Sequence, residues 1–410
     1  MSTLAHSNYD RLVMGSPLRR RGVCMVIGAV LLVLLAGATL VHLGFLASLR
    51  PDVASVFFRA LGLSSLLAIM PLAVLWFLDR RERERPWLYA AAFLWGGCIA
   101  TALAAPFNTA FFRLVDAWVA QNPMIAQLLG PDAAMMLAAP ISAPIAEELA
   151  KGLGVVLLFW LLRAEFDNMR DGFVYGALIG VGFNWFEAAL YVAQGYAKFG
   201  VAPYGMQLGL RYALFGLAGH PMFTGTFGAF LGLAIQTRRR WLRILAPIVG
   251  LGAAVAGHMF VNVLPLFAAL AAAAAGKPPP AEEPPPDMGF LDAFLAGTLI
   301  QLTVFLPFVV LMAIVLWRSG VWERRVIREE LADEIGRAVT PAEYDEIVGD
   351  GLLRTRRLDR MRPRTSAALV NAQHELAFRK RRVRTESNDP DADRLVAGWR
   401  EDIRRLREAL

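Results

Sequence analysis

Long apolar segments are the feature of this sequence that most limits what it can fold into. A helix needs about 20 mostly apolar residues to cross the hydrocarbon core of a bilayer. Eight segments reach that length, and hydrophobic residues make up 56% of the chain. These segments are 22–47, 53–78, 87–111, 134–162, 172–196, 206–236, 242–270 and 289–317. Because backbone polar groups in lipid must be satisfied internally, the sequence predicts an all-α, polytopic bundle of about eight transmembrane helices.

Basic residues predict one orientation for this bundle. They are concentrated at alternate ends of the apolar segments, whereas the opposite ends carry few positive charges, namely Arg50, Arg113, Lys198 and Lys277. By the positive-inside rule, both termini are expected to be cytoplasmic. The basic side carries Arg19–Arg21, Arg80, Arg81, Arg83, Arg85, Arg163, Arg170, Arg238–Arg240, Arg243 and Arg318. We therefore expect a multi-pass protein of a bacterial inner (cytoplasmic) membrane.

The same pattern divides the chain into successive regions. They are a cytoplasmic N-terminus (1–21), helices one to three with an outer loop (22–133), a core of helices four to seven (134–270), a proline-rich outer loop (271–288), the eighth helix (289–317) and a charged helical cytoplasmic tail (318–410). In the tail, Thr340-Pro341-Ala342-Glu343 is typical of a helix start, and Asn388–Asp393 of a break. The tail suits either a solvated appendage or a surface for a partner.

Composition excludes several other classes. The net charge of +7 follows the membrane topology, so no nucleic-acid partner is predicted. Only two cysteines occur, Cys24 and Cys98, both in apolar segments. They are too few for a disulfide framework or a cysteine-based zinc site.

Ionisable residues occur inside four consecutive apolar segments. Such residues are costly in a membrane and usually serve function. The set comprises Glu147, Glu148 and Lys151 in the fourth segment, Glu187 in the fifth, His220 in the sixth, and His258 with Asn262 in the seventh. Glu148, Glu187, His220 and His258 lie 15 to 18 residues from the cytoplasmic ends of their segments. That separation is about 22–27 Å along a helix, so all four are expected at one level in the outer half of the bilayer.

Spacing within the segments indicates which chemistry the set permits. Lys151 follows Glu147 by four residues and Glu148 by three, so it can neutralise one carboxylate of the pair. Two adjacent carboxylates in a low dielectric cannot both be ionised cheaply, and one of them could deprotonate a water. The histidines could donate to an oxyanion, or His220 and His258 could join Glu187 as a metal-ligand set with an open position. The residues leave both possibilities open.

Other catalytic types have little support in the sequence. It contains no HExxH, no GxSxG and no Gly-Asp pair of the intramembrane aspartyl type. Ser142 is the only hydroxyl close to the two glutamates, and Cys98 has no evident base. Glycines at 172, 176, 180 and 182 predict close approach of neighbouring helices to the fifth segment.

Four motifs in order carry a family resemblance. Glu147-Glu148-Leu149-Ala150-Lys151 resembles the EExxK motif of PrsW-type intramembrane proteases, and Phe183-Asn184-Trp185-Phe186-Glu187 resembles their FxxxE motif. The stretches His220 to Thr224 and His258 to Asn262 resemble the two later histidine motifs. The resemblance covers about 134–266. Ala188 departs from it, because the family often has Asn after the glutamate.

The resemblance implies proteolysis of a membrane-anchored protein substrate, such as an anti-sigma factor, near the extracytoplasmic face. The family is also similar to glutamate proteases of the CAAX prenyl and bacteriocin-processing type. That similarity implies Glu147 as the water-activating base, assisted by Glu148. Residues His220, Glu187 and His258 would then stabilise the oxyanion or hold zinc or another divalent metal. The resemblance says nothing of the oligomeric state.

Two other functions compete with this reading. A proton- or ion-coupled carrier could use the same buried charges as a relay, although the sequence lacks the internal repeats of many carriers. A non-catalytic membrane scaffold could retain the polar cluster for assembly. Outside the motifs, Arg211 could contact substrate or lipid headgroups, or extend its charge to the outer interface.

Overall fold

The computed structural model describes residues 16–81, 86–162, 166, 168–279, 284, 286, 288–349 and 363–410. Within these ranges the regular structure is helical, and no strand is present. Arg83, Arg85 and Arg163, which contribute to the predicted topology, lie outside the described residues. So do 280–283, 285 and 287 of the proline-rich loop.

The described residues form thirteen principal helices. The first ten are α1 (Arg21–Ser48), α2 (Pro51–Leu78), α3 (Pro86–Gln121), α4 (Pro123–Leu129), α5 (Ala133–Leu161), α6 (Met169–Phe199), α7 (Tyr204–Gly216), α8 (His220–Gln236), α9 (Arg240–Ala274) and α10 (Phe290–Ala332). The C-terminal three are α11 (Pro341–Val348), α12 (Pro363–Thr385) and α13 (Arg394–Glu408).

Six of these helices are long and apolar enough to cross a membrane: α1, α2, α3, α6, α9 and α10. Helices α4 and α5, bent by 90° at their junction, make a seventh when they are counted as one span. The prediction of an all-α polytopic membrane protein is therefore confirmed. The predicted segment 206–236 is divided between α7 and α8, so the count of eight stays a prediction.

Strained backbone separates α7 from α8. Leu214 and Phe215 have φ values of 53° and 60°, a left-handed conformation that is costly for residues with a Cβ. Gly216 and Gly219 follow with φ values of 73° and 75°, which glycine adopts freely. The chain therefore restarts as a new helix at His220, and this residue stands at a helix end inside the bundle.

Glycines in α6 bring α8 against it at backbone distance. A Cβ built on Gly172 would lie 1.9 Å from the carbonyl oxygen of Gly228. One built on Gly180 would lie 2.5 Å from the carbonyl carbon of His220. Gly182 faces the other way, onto the backbone of Phe93 in α3. The close approach of neighbouring helices predicted from these glycines is confirmed. It sets the level along α6 at which α8 begins.

The last membrane helix does not end where its apolar segment ends. Helix α10 continues past 317 to Ala332 and carries Val326 and Leu331 into a second hydrophobic core. That core also contains Leu369 and Phe378 from α12. The helix start predicted at Thr340 is present, because Thr340 and Glu343 form a capping box for α11. The predicted break before the last helix holds a short 3₁₀ turn, Pro390–Ala392.

Candidate active site

Side chains from α5, α6, α8 and α9 meet around the ammonium group of Lys151. This lysine is fully buried, and its Nζ donates to Glu148 Oε1 at 2.6 Å and to His220 Nδ1 at 2.7 Å. Nζ also lies 3.6 Å from Glu147 Oε2 and 4.1 Å from the centre of the Phe183 ring. Residues predicted from helix spacing alone to share one level do meet in the structure.

Both oxygens of the Glu148 carboxylate are occupied by hydrogen-bond donors. Oε1 accepts from Lys151 and lies 3.1 Å from His258 Nδ1, while Oε2 accepts from the Thr224 hydroxyl at 3.0 Å. A carboxylate with donors on both oxygens is held in its ionised form and in one orientation. Glu148 therefore joins three helices, and it offers no free oxygen to a reacting molecule.

The partners of His220 define how its ring is protonated. Nδ1 faces Lys151, which can only donate, so this nitrogen accepts. Nε2 lies 2.8 Å from Glu187 Oε2, a carboxylate oxygen that accepts, so this nitrogen carries the proton. The ring is a neutral imidazole whose lone pair points toward Lys151 and the paired glutamates.

His258 is oriented in a similar way by Glu148. Its Nδ1 carries the proton and donates it to the carboxylate, so in the neutral ring Nε2 is unprotonated and keeps its lone pair. The ring stacks on Phe223 at a centroid distance of 5.1 Å, and its centroid lies 4.9 Å from that of His220. A histidine held by a carboxylate on one nitrogen is the form that commonly binds a metal through the other.

Glu147 differs from its neighbour because one of its oxygens is free. Oε1 accepts from Asn108 Nδ2 at 3.2 Å. Oε2 is buried, and no side chain or backbone group among the described residues donates a hydrogen bond to it. Lys151 and His220 Nδ1 approach this oxygen only to 3.6 and 3.8 Å. Unsatisfied buried acceptors are rare in folded proteins and call for an explanation.

Glu187 stands behind His220 and is paired with Arg211. Its Oε2 lies 3.2 Å from Arg211 Nη2, and the guanidinium also bonds Gln207 and covers the Tyr191 ring. Arg211 is thus an internal partner of Glu187, and its predicted contact with substrate, headgroups or the outer interface stays a prediction. The hydrophobicity of α7 gave no signal for this pairing.

Asn262 and Ser142 lie close to the centre but contact other groups. The Asn262 amide donates to the backbone oxygen of Ala139 and so ties α9 to α5. Ser142 is buried and donates to Asn108 Oδ1 at 2.6 Å. Asn108, which the sequence reasoning missed, belongs to α3. The sequence feature that could have identified Asn108 is an isolated amide side chain near the end of the third apolar segment.

A cleft of about 230 Å³ leads to Glu147 from between α3, α5 and α6. Glu147 and Glu187 line one part of it, and Asn108, Thr109, Phe112 and Tyr191 line the rest. The residue that carries the oxygen without a donor is therefore part of the wall of this cleft.

The donor set of the site also suits a metal ion. Ligand atoms of Glu147, His220 and His258 all lie within 4.8 Å of one another. One carboxylate and two imidazoles are a ligand set of catalytic zinc sites. Glu147 Oε2 has no donor among the described residues, whereas His220 Nδ1 accepts from Lys151, so an ion would have to displace that ammonium group from His220. Glu187, predicted as the third ligand, is not in this group. The structure thus offers Glu147 in that role, and the assignment of Glu187 stays a prediction.

Apolar helices that enclose a glutamate–histidine centre, with one carboxylate oxygen that has no donor among the described residues, are the arrangement that a membrane-embedded hydrolase requires. The model of the PrsW family of intramembrane metalloproteases matches residues 84–314, more than half of the chain, and the chain belongs to this family. It is an intramembrane protease, and the resemblance seen in the four motifs is confirmed. Neither a curated protein nor a solved structure matches the chain.

Proposed function

We propose that this protease cleaves membrane-anchored proteins with Glu147 as the base that activates water. The free Oε2 of Glu147, buried at a cleft, is the observation that carries the proposal. A general base must have an oxygen that is not already engaged by strong donors. Glu147 meets this condition, whereas donors occupy both oxygens of Glu148.

The reaction is an ordinary hydrolysis. Glu147 Oε2 takes a proton from water, and the hydroxide oxygen bonds to the carbonyl carbon of the scissile peptide. The C–N bond then breaks, and Glu147 returns the proton to the departing nitrogen, so that one water gives a new carboxyl group and a new amine. Lys151, 3.6 Å from the same oxygen, supplies positive charge beside the oxyanion that forms.

Glu148 and Glu187 keep the other groups in place. Glu148 fixes Lys151, Thr224 and His258, and Glu187 fixes the ring of His220. Residues Glu147, His220 and His258 would hold a divalent cation such as zinc, which supplies a Lewis acid when bound. A carboxylate oxygen that ligates the ion cannot simultaneously receive a proton, so a chelator separates the two roles of Glu147.

The orientation predicted from charges has support in the contacts. Arg81, after α2, and Arg170, in α6, both bond Glu323 in α10, at 2.9 and 2.8 Å. All three positions belong to the side assigned to the cytoplasm. On the other side, Lys198 bonds Asp132 at 3.0 Å. We propose an inner-membrane protein with both termini in the cytoplasm.

The broken pair α7–α8 supports eight crossings. The first turn of α7 packs against the start of α10, because a Cβ on Gly205 would meet Phe290 O at 2.4 Å. At the other end of the pair, Gln236 in α8 accepts from the backbone of Met169 at the start of α6. The pair therefore runs from the predicted outer side to the predicted cytoplasmic side as one interrupted span.

The test is cleavage in reconstituted vesicles. Single-pass proteins of the same genome, membrane-anchored anti-sigma factors first, are incubated with wild type and with Glu147→Gln, with and without a chelator. We expect products from wild type alone, cut within or beside the membrane segment. Equal processing by both proteins would overturn the proposal. Ion movement without product would favour the carrier instead.

Loss of cleavage with chelator, restored by zinc, would show that a metal is required, and zinc binding that is lost in Glu147→Gln would place Glu147 among its ligands. Unchanged cleavage with chelator would assign Glu147 Oε2 to the water directly.

A further inference from the structure

A short chain of hydrogen bonds links Ser142 in α5 and Asn108 in α3 to the Glu147 carboxylate. Neither Ser142 nor Asn108 belongs to the four sequence motifs. Ser142 Oγ donates to Asn108 Oδ1 at 2.6 Å, and Asn108 Nδ2 donates to Glu147 Oε1 at 3.2 Å. Ser142 is buried, and Asn108 is half-buried at the wall of the cleft.

The chemistry of the three groups allows only one polarity. An ionised carboxylate accepts and cannot donate, so the amide nitrogen of Asn108 must face Glu147. The amide oxygen then faces Ser142, whose hydroxyl has to be the donor. The carboxylate disfavours a flipped amide, which would set the Asn108 oxygen against it, and the Ser142 hydroxyl holds the amide in place from the other side.

This chain determines which oxygen of Glu147 can react. Oε1 accepts a hydrogen bond from Asn108, whereas Oε2 has no donor among the described residues and faces Lys151 and His220. Without Asn108, rotation about the last side-chain bond of Glu147 would exchange the two oxygens. An anchored carboxylate keeps a near-attack arrangement that a rotating one holds only part of the time.

We propose that Asn108, held in place by Ser142, is a positioning residue for Glu147. This inference rests on the proposed function of Glu147 as the base. It gives Ser142, the hydroxyl nearest the glutamates in sequence, a role in orientation and none as a nucleophile. Because Asn108 also lines the cleft, direct contact with substrate is the competing role.

The experiment measures kcat and KM for cleavage of one membrane-anchored substrate in vesicles. The variants are Asn108→Ala, the isosteric Asn108→Asp, Ser142→Ala and the double variant Asn108→Ala/Ser142→Ala. Asn122→Ala is the matched control, because Asn122 lies at the end of the same helix and, among the described residues, its amide bonds only the Trp118 carbonyl. Glu147→Gln is the reference for the proposed function, and thermal unfolding checks each protein.

We expect Asn108→Ala to lower kcat about 10-fold to 100-fold with little change in KM, as for other groups that orient a catalytic side chain. Asn108→Asp keeps the volume but faces Glu147 with an acceptor, so its kcat should fall at least as far. Ser142→Ala should lower kcat about 5-fold, the effect of one hydrogen bond. The double variant should match Asn108→Ala, because Ser142 acts through Asn108.

A rise in KM with kcat unchanged would overturn the inference in favour of substrate contact. Multiplying effects in the double variant, or a loss in Asn122→Ala as large as in Asn108→Ala, would also overturn it. If Glu147→Gln cleaves normally, the proposed function itself fails. If Glu147→Gln is inactive while both Asn108 variants behave as wild type, only the positioning role fails.

Discussion

Two buried lysines organise two polar clusters in this molecule, and the clusters differ in what surrounds their acidic side chains. In the C-terminal region, Lys380 donates to Glu334 Oε1 and to the backbone oxygen of Glu330, both at 2.7 Å. The guanidinium of Arg400 donates to both carboxylate oxygens of Glu334. In the membrane region, Lys151 holds Glu148 in a similar way, but Glu147 beside it keeps a free oxygen.

The difference separates a structural network from a reactive one. Burial alone would raise the pKa of Glu334, yet the hydrogen bonds from Arg400 and Lys380 hold it below its ordinary value. Both oxygens of Glu334, just after α10, have donors from α12 and α13. The neighbouring Glu330 carboxylate receives no hydrogen bond from the described residues, but it faces the guanidinium of Arg384 at 3.2 Å. In the membrane cluster the oxygen without a donor among the described residues belongs to Glu147, which lines a cleft, and this combination is a recurrent feature of active sites.

Removing each lysine is the strongest way to test this comparison. Lys151→Met leaves the buried Glu148 without its cation, so we expect loss of cleavage together with about 3–5 kcal/mol of stability. Lys380→Met leaves Glu334 with Arg400 and should loosen the C-terminal helices while kcat stays at the wild-type value. Cleavage rate and thermal unfolding of both variants are the measurements. Equal loss of kcat in the two would show that the tail cluster also serves catalysis.

A methyl group at Gly180 tests the position of His220 with a smaller change. The new Cβ would meet the backbone of His220 and Pro221 at 2.5 Å, so α8 must shift. A displacement near 1 Å lowers turnover by about 100-fold in other enzymes, and we expect a loss of that order. Gly252→Ala is the control, since a Cβ there has nothing within 4 Å. Wild-type kcat in Gly180→Ala would mean that the height of His220 is not critical.

The smallest effect concerns pH and the attachment of the C-terminal region. Burial, with a contribution from Arg81, lowers the pKa of His374 to about 4, and its Nδ1 donates to the Arg81 backbone at 3.0 Å. The unfolded ring titrates near 6.5, so the unfolded state takes up protons first as pH falls from 6.5 toward 4. Attachment is therefore fully stable above pH 6.5 and weakens below it.

We expect proteolysis of the C-terminal segment to be about 10-fold faster at pH 5.5 than at pH 7.5. His374→Asn, whose amide can donate but does not titrate, should remove that dependence. A pH response that persists in this variant would assign it to other groups.

Much of the site could be predicted because helix geometry is regular. Counting residues from the cytoplasmic ends placed Glu148, Glu187, His220 and His258 at one level, and the structure brings them into one network. Glycine spacing in α6 likewise predicted the close approach of neighbouring helices, which the structure shows to be α8 and α3. Both features depend on the rise of a helix and on the absence of a Cβ.

Other features required tertiary information. Sequence spacing treats Glu147 and Glu148 alike, and only the donors from α3, α8 and α9 show which one keeps a free oxygen. The pairing of Arg211 with Glu187 depends on how α7 packs. The break before His220 had a local signal in Gly216, Gly219 and Pro221, but apolarity across 206–236 concealed it.

The central claim is that Glu147 is the one member of the cluster held ready for reaction. Measuring kcat and the unfolding temperature of Glu147→Gln on the same sample tests it most directly. We predict a kcat lower by a factor of about 10²–10⁴, as expected for loss of a general base. The unfolding temperature should be unchanged or higher, because no donor to Oε2 is lost. Cleavage at the wild-type rate, or a loss of stability as large as in Lys151→Met, would contradict the claim.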